Sequence, residues 1–568
     1  MPEQTSSLMP ALLWLPNKLT ALNAKAEKIA GKVPETIVLC LYCVLKAVMG
    51  LFHEPWFDEA VAWQIAREAT LKDILLTVPH YEGHPPLWHL VLAPFAKLGA
   101  PYELSLVLVS LVFMAVAVFL VLWYAPFPRL VKWVLPFTYF CFYQYAVISR
   151  PYCMMTLAFV LCALAFGTRG EKPHRYVLSL AFLCLTSAFG IAVAGGLALA
   201  WVWEILSEKP LAETLKGLFC DRRVWWLLGL LALAILLILE IVPANDTYAL
   251  ASKAVTKQEL SVTSFLYVLL AIPTDCFLAS IFSGYNFVFD MTFGGATFWA
   301  SCLVGLLLWT LFFLLAKRKG LVVTLFLPYV LFAVFGAVVY MCSHHGGIAY
   351  LFLLFFLWVA LKTPDKVPPK NAARASGVKA AATVLVALSL CVSLWWNVSS
   401  CITDVKKPYS TARAMVAFIK EHHLDDYRIM TGWKNDNGVS DINLTVSAEL
   451  MPYFDRNIFF NFMGGDDHKN YTTHRFATKE ETAAAFDVWK KTGLPDVLIN
   501  DPAAGLAYGE AFNLKDYAVV FHTVGGKIWK GGDQLDSTSI LVRRELLSEL
   551  GLQEMTVSEM LAIDRKWE

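Results

Sequence analysis

Two neighbouring carboxylates, Asp58 and Glu59, follow directly after the first long apolar segment of the chain. Further along the same polar stretch come Glu82, His84 and Trp88, the last two separated by Pro-Pro-Leu. A carboxylate can accept the proton of an attacking hydroxyl, and the other side chains can bind a polar substrate beside an apolar one. The sequence therefore predicts chemistry at the edge of an apolar domain, where lipid-soluble and water-soluble reactants meet.

The rest of the chain, which must position these residues, is mostly apolar. Of its 568 residues, 57% are hydrophobic and 16% are charged, whereas soluble domains carry roughly 25% charged residues. This composition predicts an integral membrane protein and gives no basic patch for a nucleic acid. The twelve cysteines show no metal-ligand spacing, so we expect them to be small core residues.

Hydrophobic periodicity predicts a polytopic α-helical membrane protein with about eleven spans. A helix needs about 20 apolar residues to cross the hydrocarbon core. The predicted spans are 34–52, 104–124, 133–149, 151–167, 176–189, 190–207, 224–243, 295–316, 321–342, 346–361 and 380–399. Basic loops stay in the cytoplasm, which places the lysine-containing segment 1–33 inside and loop 53–103 outside.

Two apolar stretches do not fit a simple span. Pro86–Leu98 is too short to cross and is predicted as an interfacial helix, because counting it as a span would move basic loops to the wrong side. In loop 244–294, predicted to be external, Pro273-Thr274-Asp275 interrupts the apolar stretch 263–282. We expect re-entrant or interfacial helices there, forming a mobile gate over a lipid tail. The alternative is an ordinary span kinked at Pro273.

Residues 400–568 change character, because charged residues and glycines become frequent. Short alternating runs at 427–431, 496–500, 518–521 and 539–543 predict strands, and 410–423 and 479–492 predict helices. Together with the inside orientation of 362–379, this pattern predicts a soluble, extracytoplasmic α/β domain after the last span of the transmembrane domain 34–399.

The predicted topology brings charged and aromatic groups from separate loops to the external face. Arg150 and Tyr152 follow one span, and His344 and His345 precede another. Ionisable side chains at the edge of a membrane are costly and usually functional. We therefore predict a single external site that contains these residues and the acidic pair.

Three short motifs resemble those of the GT-C superfamily of membrane glycosyltransferases, especially the protein-O-mannosyltransferase and aminoarabinose-transferase branches. They are the Asp-Glu pair after the first span, the external His-Pro-Pro-Leu, and Ile148-Ser149-Arg150-Pro151-Tyr152. The likeness covers 34–400 in architecture, but only about 53–90 and 148–156 in motifs. It implies a polyprenyl-phosphate sugar donor, an acid of the first external loop as general base, and inversion at the sugar. Pro151-Tyr152-Cys153-Met154 departs from the pattern, since several relatives carry a second acid there.

The expected roles follow from side-chain chemistry. Asp58 and Glu59 are the catalytic candidates, with Asp58 as the base. The expected phosphate-binding residues are Arg150, His344, His345 and Tyr152, since cations and donors stabilise a leaving phosphate. The expected substrate-binding residues are Glu82, His84 and Trp88. A divalent metal could bind at Asp58, His84 and His344, although the sequence does not require a metal.

The predicted function is thus transfer of a sugar from a polyprenyl phosphate to a lipid, glycan or protein acceptor, in a bacterial inner membrane. A transporter or flippase of lipid-linked sugars is the first alternative, but the spans contain few ionised groups along a path. A membrane receptor with a ligand-binding tail is the second, and it would not need so many spans.

Overall fold

A computed structural model describes the chain over 34–210, 220–247, 262–280, 296–339, 341–367, 372–431, 434–436, 439–441, 445–460, 476–477, 493–500 and 514–567, with a few isolated positions besides. The described chain is mostly helical and ends in a domain that contains sheet. Much of the segment for which a gate is predicted, 248–261, lies outside the described residues.

The described helices of the apolar part are labelled in chain order. They are α1 (Glu35–Phe52), α2 (Phe57–Glu68), α3 (Leu71–Leu76), α4 (Val78–Glu82), α5 (Leu87–Lys97), α6 (Tyr102–Tyr124), α7 (Arg129–Val134), α8 (Tyr152–Phe166), α9 (Pro173–Thr186), α10 (Ala188–Leu206), α11 (Arg222–Ile241), α12 (Val262–Leu266), α13 (Ile272–Phe277), α14 (Ala296–Lys319), α15 (Val322–Val338), α16 (Gly346–Lys362) and α17 (Ala372–Lys406).

Seven helices in the described part of the chain are long and apolar enough to cross a membrane. They correspond to α1, α6, α10, α11, α14, α16 with the turn before it, and α17 from Ala380. Helix α11 leaves Leu231, Leu236 and Leu239 more than half exposed. Such an apolar outer surface suits contact with lipid rather than water. The chain is therefore a polytopic helical membrane protein in its coarse architecture.

The predicted span 133–149 is not one α-helix. Helix α7 ends at Val134, a 3₁₀ turn covers Leu135–Phe137, and a π-helix covers Phe140–Val147. Pro136 has no backbone N–H to continue an α-helix, which accounts for the break. Every residue of the π-helix is buried, so this segment packs inside the helical domain.

The break predicted at Pro273-Thr274-Asp275 is also absent. Helix α12, a π-turn at Tyr267–Ala271 and α13 follow one another without a gap, and all residues of α13 are buried. Pro273 cannot donate to the carbonyl of Leu269, which instead accepts a hydrogen bond of 2.7 Å from Trp309 Nε1. The neighbouring helix thus supplies the missing donor, and the segment packs as an internal helix rather than an interfacial one.

The C-terminal domain is α/β, as predicted. Its helices are α18 (Ala412–Glu421), α19 (Thr445–Leu450), α20 (Leu547–Leu550) and α21 (Val557–Trp567), and its strands are β1 (Ile429–Thr431), β2 (Lys434–Asp436), β3 (Val439–Asp441), β4 (Phe476–Ala477), β5 (Val497–Asn500), β6 (Tyr517–Trp529) and β7 (Gly532–Arg543). One sheet has the order β1-β5-β7-β6, with β1 and β5 parallel and the other pairs antiparallel; a second has the order β2-β3-β4. Met415, Ile419 and Ile540 belong to the core between helix and sheet.

The first polar loop packs directly against this C-terminal domain. The Glu54 carboxylate accepts a hydrogen bond of 3.1 Å from Ser410 Oγ and another from the backbone of Arg413. The Arg413 guanidinium also forms an ion pair of 2.8 Å with Glu103. Both ends of loop 53–103 therefore contact the C-terminal domain, and the two lie on the same side of the helices.

Candidate functional site

The acidic pair lies in the first turn of α2, which begins after Trp56. The backbone N–H of Trp56 donates to Glu59 Oε2 at 3.3 Å, so Glu59 caps the helix on which it lies. Adjacent side chains on a helix point about 100° apart. The two carboxylates therefore face different surroundings, as the sequence predicts.

Glu59 points inward and is 1% exposed. Its Oε1 accepts a hydrogen bond of 2.6 Å from the backbone N–H of Ser149, and its Oε2 lies 3.1 Å from His53 Nε2. On its other side, His53 Nδ1 lies 2.9 Å from Asp404 Oδ2, which also accepts from Tyr143 Oη. Glu59 is thus enclosed by protein donors, unlike the position predicted for a catalytic carboxylate beside Asp58.

The two carboxylates beside His53 set its charge state. Burial acts to lower the pKa of His53, but Asp404 and then Glu59 outweigh it and raise this pKa to about 10. His53 is therefore a cation at neutral pH between two carboxylates. Since Ser149 precedes Arg150, the hydrogen bond that Ser149 N donates to Glu59 fixes the loop that carries Arg150 against the start of α2.

Asp58 and Arg150 form an ion pair at the centre of the candidate site. Asp58 Oδ2 lies 2.7 Å from Arg150 Nη1, with side-chain exposures of 26% and 12%. A partly exposed carboxylate held in this way can be reached by a substrate, unlike Glu59. This contact brings Asp58 and Arg150 together, as the predicted site requires.

Aromatic rings and one histidine surround the Arg150 guanidinium. Its Cζ lies 5.2 Å from the centroid of the Tyr152 ring and 5.7 Å from that of Trp56. His344 Nε2 lies 3.1 Å from Nη1 of Arg150, and the His344 carbonyl accepts a hydrogen bond of 2.7 Å from Tyr145 Oη. Cation–π contacts and the histidine therefore hold the guanidinium where it meets Asp58.

His84 is a further ionisable group near Arg150. Helix α4 is followed by Gly83, whose φ of 65° is the left-handed conformation that glycine adopts most easily, and the chain then turns through His84 into α5. Burial, the Arg150 charge and His89 together lower the pKa of His84 to about 3. His84 is therefore a neutral imidazole at neutral pH, able to hydrogen-bond a substrate without adding charge.

The other four predicted site residues lie in different surroundings. His345 Nδ1 accepts a hydrogen bond of 2.9 Å from Cys342 N, and its ring packs on Phe189. Tyr152 is 1% exposed and stacks on Tyr145, and its ring also lies against the Arg150 guanidinium. Trp88 is buried in α5, and Glu82 is the partly buried last residue of α4.

The three metal candidates do not form a ligand set. Within the described residues, no group of three or more His, Cys, Asp and Glu side chains is arranged to hold a metal ion. The Arg150 guanidinium contacts both Asp58 and His344, and so lies where a metal would have to bridge them. This arrangement does not fit a metal at Asp58, His84 and His344.

Three residues of the site or its support are absent from the sequence prediction: His53, Trp56 and Asp404. Trp56 and His53 lie within a few residues of Asp58, and the nearness of an aromatic and an imidazole to the acidic pair is a signal that could have identified them. Asp404 lies 351 positions from His53, so no local pattern connects the two.

The structure also contains an apolar cavity of about 50 Å³ within the helical domain. Its lining includes Met114, Phe159 and Trp358 but none of the candidate site residues. The cavity therefore does not extend the Asp58–Arg150 site.

Comparison with protein-family models, characterised proteins and solved structures gives no match. The resemblance to the GT-C superfamily consequently rests on the short motifs around Asp58, His84 and Arg150.

Replacement of Glu59 tests whether its buried hydrogen bonds hold the start of α2 against Ser149 and His53. We expect Glu59→Gln to lower the free energy of unfolding by roughly 2 kcal/mol, because a neutral amide replaces the charged acceptor of buried hydrogen bonds from Ser149 N and His53 Nε2. Glu68→Gln is the matched control, since Glu68 lies at the end of the same helix and is partly exposed. Thermal unfolding in detergent would measure both. Equal stability of the Glu59 variant and the wild type would contradict this structural role of Glu59.

Proposed function

We propose that this protein is a membrane glycosyltransferase that moves a sugar from a polyprenyl phosphate to an acceptor at the external membrane face. The Asp58–Arg150 ion pair of 2.7 Å carries the proposal. It presents a carboxylate and a guanidinium side by side, at the polar edge of a helical domain whose outer surface suits lipid. These are the two groups that such a transfer needs.

Asp58 and Arg150 have different roles in the proposed reaction. Asp58 accepts the proton of the acceptor hydroxyl as its oxygen forms a bond to the anomeric carbon. The bond from that carbon to the phosphate oxygen breaks, and the polyprenyl phosphate leaves with the electron pair. Arg150 stabilises the charge that develops on the leaving phosphate. Attack opposite the leaving group inverts the anomeric centre.

The proposed topology has about eleven spans in a bacterial inner membrane. Loop 53–103 and the C-terminal domain are then both extracytoplasmic. Their mutual contacts through Glu54, Glu103 and Arg413 support a common side, and the basic loops support the external one. The acceptor in this proposal is a lipid, glycan or protein of the cell envelope.

A donor panel tests the function. The purified protein would be incubated with radiolabelled polyprenyl-phosphate sugars and, separately, with nucleotide sugars, together with membrane extract as a source of acceptors. We expect transfer from a polyprenyl-phosphate sugar and none from a nucleotide sugar. Transfer from nucleotide sugars alone would contradict the donor class. Movement of labelled lipid across a vesicle membrane without transfer would instead indicate a flippase.

A further inference from the structure

A lysine of the C-terminal domain reaches the candidate site. Lys527 lies on β6, and its Nζ is 5.2 Å from the centroid of the Trp56 ring. Arg150 lies 5.7 Å from the same centroid. Trp56 directly precedes α2, which carries Asp58. The Trp56 indole therefore contacts one cation from each of the two domains. The two cations lie no farther apart than the sum of their distances to the ring centroid.

Lys527 differs from three other cations at the contact between the C-terminal domain and the helical domain. Lys530 and Arg413 form ion pairs with Asp275 and Glu103, and Lys407 pairs with Asp533. No carboxylate of the described residues lies within ion-pair distance of the partly buried Lys527. A positive charge at a half-enclosed position without a carboxylate is suited to binding an anion.

The backbone just before Lys527 is fixed to its surroundings. Gly526 N donates a hydrogen bond of 3.0 Å to Pro408 O. An added Cβ at Gly525 would lie 2.6 Å from the carbonyl carbon of Ser410, so the strand approaches this segment too closely for a side chain. Lys527 is thus held by the strand and does not lie on a free loop.

The turn after Lys527 inserts into the helical domain. Lys530 has a left-handed φ of 49°, which residues other than glycine adopt at a cost, and is 6% exposed. Its Nζ forms a buried ion pair of 2.8 Å with Asp275 of α13. The adjoining Cys276 Sγ donates to Gly346 O at 2.9 Å, two residues beyond His344. The hairpin β6–β7 is therefore tied to the loop that positions Arg150.

We propose that Lys527 is a second phosphate-binding residue, so that the C-terminal domain forms part of the donor site. This inference rests on the proposed function. A phosphate bound to a lipid and a sugar is a diester with one negative charge, and breakage of the sugar bond leaves a monoester with more negative charge. Arg150 is already paired with Asp58, and Lys527 supplies the further positive charge that the leaving monoester requires.

Binding of a polyprenyl monophosphate to the full-length protein in detergent tests the proposal. We expect Lys527→Gln to weaken binding about ten- to hundredfold, since it removes one charge-assisted hydrogen bond. Lys527→Arg should retain most of the affinity, and Lys527→Gln should also reduce the dependence of binding on salt concentration. Lys515→Gln, at the far end of the same strand region, is the matched control and should bind as the wild type does.

Two further ligands show whether the protein recognises the phosphate group or the lipid chain. Inorganic phosphate should compete weakly, with competition lost in Lys527→Gln, and the unphosphorylated polyprenol should bind far less tightly than the monophosphate. Polyprenol binding as tight as monophosphate binding would overturn the inference, because the phosphate would then not be recognised.

Failure of the inference can be told from failure of the proposed function. If the wild type binds polyprenyl monophosphate and Arg150→Ala weakens this binding while Lys527→Gln does not, the inference is overturned and the function stands. If the wild type binds no polyprenyl monophosphate, the proposed function and the inference are overturned together. An unchanged unfolding temperature in Lys527→Gln shows that loss of binding is not loss of fold.

Discussion

Asp58→Asn should lower the rate of sugar transfer by about 10²–10⁴-fold, the usual effect of losing a general base. The amide retains the size of the carboxylate and can still accept a hydrogen bond from Arg150, but it cannot take up the proton of the acceptor hydroxyl. Single-turnover transfer from a polyprenyl-phosphate sugar would measure the rate. Binding of the donor should change much less than the rate.

Asp73→Asn is the matched control for this substitution. Asp73 lies in the same loop, and its carboxylate accepts hydrogen bonds from the hydroxyls of Thr70 and Thr77. The control should retain full activity, and neither variant should lose the stability that Glu59→Gln is expected to lose. Full transfer by a folded Asp58→Asn preparation would remove Asp58 as the base.

The second large effect is expected at Arg150. Arg150→Ala should reduce kcat/KM by about 10²–10³-fold, because the leaving phosphate loses a preorganised donor in a partly dehydrated site. Arg150→Lys should recover only part of this loss. An ammonium is a point charge, whereas the guanidinium is planar and stacks on aromatic rings such as Trp56 and Tyr152.

Arg129→Ala serves as the control for loss of a positive charge. Arg129 pairs with Glu35 at 2.9 Å and belongs to a loop predicted to be cytoplasmic. Arg129→Ala should leave kcat/KM unchanged. If labelling with a membrane-impermeant reagent placed residue 150 in the cytoplasm, both the phosphate-binding role of Arg150 and the predicted topology would be wrong.

Local pattern was sufficient for the features that depend on near neighbours in the chain. Alternating apolar residues at 427–431 and 539–543 predicted strands that the structure contains, since the alternation is a property of the strand itself. The short stretch Pro86–Leu98 was recognised as too short to span, and it forms the helix Leu87–Lys97. Local pattern failed at Pro273, because the donor that replaces its missing N–H comes from Trp309 of another helix.

The sequence by itself determined that the chain is a helical membrane protein with an α/β C-terminal domain, because composition and periodicity depend only on residues that are close together in the chain. It also indicated that Asp58 and Glu59 face different ways, because helix geometry separates adjacent side chains. Tertiary structure alone decided that Glu59 is enclosed by Ser149 and His53, and that Lys527 reaches Trp56 from the C-terminal domain. Those contacts join residues far apart in the chain, and their partners are chosen by packing between domains, which no local pattern records.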